Sequence, residues 1–134
     1  ARDWTGRTAL SHAAFNSPEI VRALIQAGAE VDAADDFGET PLMIFVDTKT
    51  EDKAALVDML LAAGAEVNAK NERGETALMG ACYDEQLVKV VEALIRAGAD
   101  VNAHDRSGFT PLSIAEQSKN METAELLRRA GAKN

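Results

Sequence analysis

The chain has 134 residues, of which 46% are apolar but only 4% are aromatic. This length is enough for one domain, and a core with so few rings is expected to consist of closely packed aliphatic side chains. The formal net charge of −8 argues against polyanionic partners, so we expect neither nucleic acid nor a membrane surface as a binding partner.

No apolar run approaches the roughly 18 residues of a membrane-spanning helix, and no signal-peptide pattern opens the sequence. Cys82 is the only cysteine, so an internal disulfide is excluded and a reducing compartment is compatible with the sequence. We therefore expect a cytoplasmic protein. We interpret Cys82 as a small buried apolar residue rather than as a reactive thiol.

A pattern of glycines with a period of about 33 residues divides the chain into repeated units. One glycine of each unit follows an apolar run, as Gly28 does, where a left-handed residue can end a helix. The other glycine stands two residues before a threonine, as Gly38 does before Thr40, and predicts a tight turn followed by a helix cap. Each unit is therefore predicted to be a loop, a helix, a short turn and a second helix.

Repeat 1 is predicted at about residues 8–39, with an inner helix over 8–16 and an outer helix over 19–27. Residues 1–7 match the loop of a preceding or truncated repeat. Ile20 is apolar on the face of the outer helix where a first repeat usually has polar residues. We therefore expect that face to be open, because a layer upstream is missing, or else to be covered by a partner.

Repeat 2 is predicted at about residues 40–75 and is longer than its neighbours because of the polar segment 47–53 between its helices. Insertions in solenoids fall in surface loops, so we expect this segment to be an exposed, tolerated extension rather than a dedicated site. Repeat 3 covers about residues 76–109 and repeat 4 about residues 110–134. The outer helix of repeat 4 has a polar outer face, which is typical of a C-terminal cap.

The repeated pattern is D-x-x-G-x-T-[PA]-L, then an apolar helix pair, then G-A-[DE]-V-[DN]-A. It resembles the ankyrin repeat family, and four registered copies extend the resemblance over essentially the whole chain. The resemblance implies a single ankyrin repeat domain over residues 1–134. Its fold class would be an all-α repeat solenoid, a stack of helix-turn-helix units with short β-hairpin fingers. It also implies a scaffold for protein–protein interaction.

No group of residues in the sequence predicts catalysis. His12 and His104 lie far apart in the repeat lattice, and with a lone cysteine they predict no metal site. His12 is interpreted as a packed, hydrogen-bonded residue, and the acidic pair Asp35-Asp36 as part of a solvated loop. The phosphate-binding loop and the nucleophile elbow are both absent. We expect no enzyme activity, no cofactor and no small-molecule substrate.

Partner binding is instead expected at the variable positions of the repeat, which in ankyrin proteins form the fingertips and the concave face of the inner helices. Aromatic and arginine side chains most often carry interface energy. Equivalent positions of stacked repeats would form one continuous strip. The predicted partner-binding residues are Trp4, Arg7, Phe15, Phe37, Glu39, Arg73, Tyr83, Asp84, Arg106 and Phe109. The alternative is that these rings only pack on neighbouring fingers, because a small-residue core has no room for them.

The leading hypothesis is a non-catalytic, monomeric module that binds a protein partner of unknown identity. The alternatives are a structural segment that self-associates through its N-terminal edge, and a regulatory domain of a larger protein. The resemblance also raises asparagine hydroxylation at Asn68 or Asn102. We favour the simpler interpretation, in which both asparagines stabilise the finger turns.

Overall fold

The structure is a computed structural model that describes residues 2–13 and 17–133. Contacts divide the chain into two compact units, Ala1–Glu66 and Val67–Asn134. Within the described residues the regular secondary structure is helical. The sequence-based prediction of an all-α repeat architecture is confirmed for this part of the chain.

Each unit contains two helix pairs. The helices of the first unit are α1 (Ala9–Ala13), α2 (Pro18–Gln26), α3 (Pro41–Asp47) and α4 (Lys53–Ala62). Those of the second unit are α5 (Ala77–Ala81), α6 (Val88–Arg96), α7 (Pro111–Gln117) and α8 (Met121–Arg129), with a 3₁₀ turn at Glu85–Leu87 before α6. In the first unit α1 contacts α3 and α2 contacts α4; in the second, α5 contacts α7 and α6 contacts α8.

Threonine side chains begin the inner helices, as the sequence predicts. The Thr40 hydroxyl accepts a hydrogen bond from the backbone N–H of Met43, and Pro41 occupies the first helical position. Thr110 accepts from the N–H of Ser113, whose hydroxyl accepts from the backbone of Thr110 in return, and this completes a capping box. The same threonine bond is present at all four predicted caps, Thr8, Thr40, Thr76 and Thr110.

A glycine ends each outer helix. At the end of α4 the N–H of Gly64 donates to the carbonyl of Leu61, and the N–H of Ala65 donates to the carbonyl of Leu60. This pair of bonds is a Schellman motif, which satisfies carbonyls that the helix itself leaves unpaired. A Cβ added at Gly64 would meet nothing within 4 Å. Glycine is therefore required there by the backbone φ of +90°, and not by lack of space.

The loop before each inner helix is closed by one side-chain oxygen. Oδ1 of Asp35 accepts hydrogen bonds from the N–H groups of Phe37 and Glu39, both at 2.9 Å. The backbone N–H of Asp35 donates to the carbonyl of Glu39, and the N–H of Gly38 to the carbonyl of Asp35. The same arrangement recurs at Asp3, Asn71 and Asp105. We call these four segments the Asx loops, at residues 3–7, 35–39, 71–75 and 105–109.

The Asx loops are compact turns rather than pairs of strands. In residues 2–13 and 17–133 the only strand-like pairing is an isolated bridge between Arg2 and Thr8. The expected β-hairpin fingers are therefore not confirmed. A side chain that takes up two backbone N–H groups leaves less of the loop backbone available for a ladder.

Asn68 and Asn102 each connect one repeat to the next within the second unit. The amide of Asn68 donates to the carbonyl of Gly98 at 3.1 Å and accepts from the N–H of Asp100 at 2.7 Å. Asn102 makes the corresponding bonds to Gly131 and Lys133. Both asparagines therefore stabilise the junction between consecutive repeats, whereas the sequence predicted only that they stabilise a turn within one repeat.

The cores of the units are aliphatic, with Leu10, Leu42, Phe45, Leu56 and Leu60 completely buried in the first and Leu78, Met79, Leu94, Leu112 and Leu127 in the second. The expectation of an exposed segment 47–53 is wrong at two positions, because Thr48 and Lys53 are buried. The Thr48 hydroxyl donates to the carbonyl of Ile44 at 2.7 Å and so turns inward at the end of α3. Lys53 is the first residue of α4.

Ile20 and Leu56 provide a matched test of the open face on α2. Each lies eight residues before the glycine that ends its helix, but Ile20 is 44% exposed whereas Leu56 is 0% exposed. We expect Leu56→Glu to lower the free energy of unfolding by at least about 3 kcal/mol, because an unpaired carboxylate would be buried. Ile20→Glu should change it by less than about 1 kcal/mol.

Urea unfolding followed by circular dichroism measures both values. Equal losses in the two variants would show that the Ile20 face is covered.

Candidate functional site

The described aromatic candidates are on the surface. Trp4 is 92% exposed, Tyr83 61%, Phe37 58% and Phe109 39%. Phe45, the one aromatic residue that was not assigned to the surface, is completely buried. Phe15 lies outside the described residues. The sequence therefore separates surface rings from core rings correctly for the part of the chain that the structure describes.

Trp4 and Phe37 lie in adjacent Asx loops of the first unit. Oδ1 of Asp3 holds the loop of Trp4 and Oδ1 of Asp35 holds the loop of Phe37. The N–H of Asp36 donates to the carbonyl of Thr5 at 3.0 Å and joins the two loops. Both rings are thus presented to solvent from backbone that is fixed by hydrogen bonds.

The two charged candidates of the first unit are paired with each other. Nη2 of Arg7 lies 3.7 Å from Oε2 of Glu39, and Nε of Arg7 lies 3.2 Å from Oδ2 of Asp35. The Asp35 side chain is completely buried. The interpretation of Asp35 as a solvated loop residue is therefore wrong, since its carboxylate closes the Asx loop and accepts the Arg7 guanidinium.

A shallow groove opens beside this ion pair. Its volume is about 460 Å³, and its lining residues are Arg7, Glu39, Ile44, Asp47, Thr48 and Lys49. The lining combines two basic and two acidic side chains with the buried Ile44. Such a groove can take a side chain that is both polar and partly apolar. Two of these lining residues, Arg7 and Glu39, are among the partner-binding residues that the sequence predicts.

Two of the candidates in the second unit are the arginines of adjacent Asx loops. Arg73 forms an ion pair with Glu75 at 2.9 Å, yet its side chain remains 73% exposed. The backbone N–H of Arg106 donates to the carbonyl of Arg73 at 3.0 Å, so the two loops lie side by side. The Phe109 ring lies on the same loop as Arg106, at its last residue.

Tyr83 and Asp84 follow Cys82, the C-cap residue of α5. Oδ1 of Asp84 accepts from the N–H of Gln86 at 2.8 Å and begins the 3₁₀ turn Glu85–Leu87. Both Tyr83 and Asp84 are exposed. Asp84 therefore caps the 3₁₀ turn and is also accessible to solvent.

His12 fastens α1 to the first Asx loop. Its Nε2 lies 2.6 Å from Oδ2 of Asp3, and about half of the His12 side chain is exposed. The Thr5 hydroxyl, followed by the N–H groups of Arg7 and Thr5 and then the His12 ring, lowers the pKa of Asp3 well below its usual range. The predicted hydrogen bond of His12 is present, but the ring is not packed in the core. A histidine nine residues after a loop aspartate was the available sequence signal.

Cys82 is completely buried, as predicted, and burial raises the pKa of its thiol to about 12. Among residues 2–13 and 17–133, no group of three or more His, Cys, Asp or Glu side chains is placed to hold a metal ion. In each unit, the described residues thus place polar and aromatic side chains on the surface.

A family model described as ankyrin repeats in three copies matches residues 1–71 and again residues 48–134. The chain belongs to the ankyrin repeat family. Ankyrin repeats are in general non-enzymatic modules for protein–protein interaction. No curated protein gives a match to this chain. In the described residues, none of the ankyrin helices combines the length and the apolar character needed to cross a bilayer.

The buried thiol of this ankyrin chain gives a labelling prediction. A pKa near 12 instead of 9.0 lowers the thiolate fraction at pH 8, by about a thousandfold. Iodoacetamide should therefore label Cys82 at least about 100-fold more slowly in the folded chain than in denaturant. Intact-mass analysis follows the reaction. Equal rates in the two states would mean that Cys82 is accessible.

Proposed function

We propose that this ankyrin chain is a non-catalytic module that binds a protein partner through its exposed Asx-loop tips and the ends of its inner helices. One observation supports the proposal most strongly. Trp4, the chain's only tryptophan, is 92% exposed at the tip of a hydrogen-bonded loop. The fold gains almost nothing from a ring in that position.

Burial of such a ring by a partner would be favourable by about 1.5–3 kcal/mol. The usual opposing term is the entropy lost when a loop becomes ordered on binding. Asp3 and Asp35 already hold the backbone on either side of Trp4 and Phe37. Binding therefore needs to order side chains more than backbone, which favours these rings as interface anchors.

The surface of each unit is proposed separately. In the first unit Trp4 and Phe37 are the anchors, and Arg7 and Glu39 form the polar margin beside them. In the second unit the proposed contact residues are Arg73, Tyr83, Asp84, Arg106 and Phe109. Aromatic centres with charged surroundings match the usual composition of interfaces.

The test is a comparison of affinity captures from a lysate of the source cells. The unmodified chain, Trp4→Ala and Met121→Ala are each immobilised, and the bound proteins are identified by mass spectrometry. Met121 is the control because it is a large apolar residue that is exposed, at 61%, but lies on α8, outside the proposed surface. We expect a protein that the unmodified chain and Met121→Ala retain and that Trp4→Ala loses.

Loss with both variants, or with neither, would contradict the assignment of Trp4. If the immobilised chain captured only further copies of itself, the result would instead favour self-association.

A substitution at Phe37 tests whether this ring contributes to partner binding or to packing of the loop. Because Phe37 is 58% exposed, Phe37→Ala should leave the melting curve nearly unchanged. It should weaken binding of the captured partner at least tenfold, which corresponds to about 1.4 kcal/mol. Calorimetric titration and a thermal melt of the same sample measure the two effects. A variant that unfolds more easily yet binds normally would identify Phe37 as a loop-packing residue.

A further inference from the structure

A groove in the second unit concentrates basic groups in an otherwise acidic chain. It lies between the Asx loops at 71–75 and 105–109 and has a volume of about 380 Å³. Its lining residues are Lys70, Asn71, Gly74, His104, Asp105 and Arg106. We call it the loop groove. The net charge of the chain is −8, so a groove in which the charged groups of Lys70 and Arg106 outnumber the one carboxylate, that of Asp105, departs from the general surface.

The walls of the loop groove are fixed by backbone contacts. The N–H of Arg106 donates to the carbonyl of Arg73 at 3.0 Å. A Cβ added at Gly74 would lie 3.1 Å from the backbone N of Arg106 and 3.3 Å from Cα of Asp105. The two loops therefore approach as closely as backbone allows. The positions from which Lys70 and Arg106 extend are set before any ligand arrives.

The cationic groups of the groove keep donors available. Nζ of Lys70 uses one donor on the carbonyl of His104, at 3.4 Å, and an ammonium group has three. In the described part of the chain, the Arg106 guanidinium has no ion pair and no side-chain hydrogen bond. Oδ1 of Asp105 already accepts from two backbone N–H groups of its own loop. An incoming anion would therefore meet unsatisfied donors.

The corresponding loops of the first unit do not offer these donors. Arg2, the counterpart of Lys70, donates from Nη1 to the carbonyls of Gly6 and Ala34 at 2.9 and 2.6 Å. Ala34 stands where the second unit has His104, and Asp36 stands where it has Arg106. The basic groove is thus particular to the second unit and does not follow from the repeat pattern.

We propose that the loop groove binds an acidic segment of a protein partner, with an anionic side chain held by Arg106 and Lys70 beside His104. A planar guanidinium can grip a carboxylate or a phosphate through two parallel hydrogen bonds, and a lysine adds a second positive charge. This inference rests on the proposed protein-binding function and specifies the chemistry of the partner segment that contacts the second unit.

Three fluorescein-labelled peptides test the proposal by fluorescence anisotropy with the full chain at low salt, where charge attraction is least screened. One alternates glutamate with glycine, the second has glutamine for every glutamate, and the third has phosphoserine for every glutamate. We expect the glutamate or the phosphoserine peptide to bind at least about tenfold more tightly than the glutamine peptide. The glutamate peptide tests a carboxylate as the ligand group, and the phosphoserine peptide tests a phosphate.

A matched pair of variants distinguishes the groove from general charge attraction. Arg106→Gln removes one positive charge from the groove, and Arg96→Gln removes one from the exposed last turn of α6. We expect about tenfold weaker binding of the anionic peptide with Arg106→Gln and less than about twofold with Arg96→Gln. Thermal melts confirm that both variants are folded. Equal losses, or equal binding of the anionic and glutamine peptides, would overturn the proposal.

The peptide-binding test of the loop groove can fail independently of the capture test of Trp4. Trp4 lies in the first unit, so Trp4→Ala should bind the anionic peptide as the unmodified chain does. If capture of a protein depends on Trp4 but anionic peptides do not bind, only the loop groove is refuted. If anionic peptides bind as expected but no protein is captured through Trp4, the loop-tip assignment fails instead.

Discussion

One side-chain oxygen at the start of each loop determines how the rest of a repeat is arranged. Oδ1 of Asp3, Asp35, Asn71 or Asp105 accepts from the N–H groups two and four residues later, at 2.8–3.0 Å in all four copies. Five residues are thereby folded into a closed turn that ends directly before the helix-capping threonine. The turn, the cap and the start of the inner helix form one continuous local structure.

This local structure explains both the stability and the shape of the candidate surface. The loop oxygens accept backbone N–H groups, while the Trp4 and Phe37 side chains of the same loops remain exposed to solvent. Asp35 combines this loop interaction with burial and an ion pair. Its carboxylate is completely buried and also accepts the Arg7 guanidinium at 3.2 Å. Without the Arg7 guanidinium, the buried Asp35 carboxylate would keep only its two backbone N–H donors and lose its positively charged partner, which would destabilise the fold.

Much of the fold follows from positions that repeat. The glycines that end the outer helices, the threonine caps, the order of the helices and the burial of Cys82 were all predictable, since each depends on residues close together in the chain. The exposed rings were predictable for the same reason. Each repeat position either faces the core or faces solvent. Phe45 occupies a core position and Trp4 a solvent-facing one.

The interactions that sequence reasoning missed join residues that are distant in the chain or belong to no repeat position. The Arg7–Asp35 pair spans two loops. The burial of Lys53 depends on how an insertion folds back. The loop groove arises because Lys70 and Arg106 come from different repeats. None of these has a periodic signature, so only coordinates could reveal them.

Backbone NMR relaxation of the free chain shows whether the Asx loops are rigid before a partner binds. The decisive amides are those of Phe37, Glu39, Arg73 and Glu75, which donate to the loop oxygens. We expect order parameters of about 0.85 at these amides, the same as in the helices. Values below about 0.6 would show instead that the loops are flexible on the ps–ns timescale and are not held rigid by the side-chain oxygens.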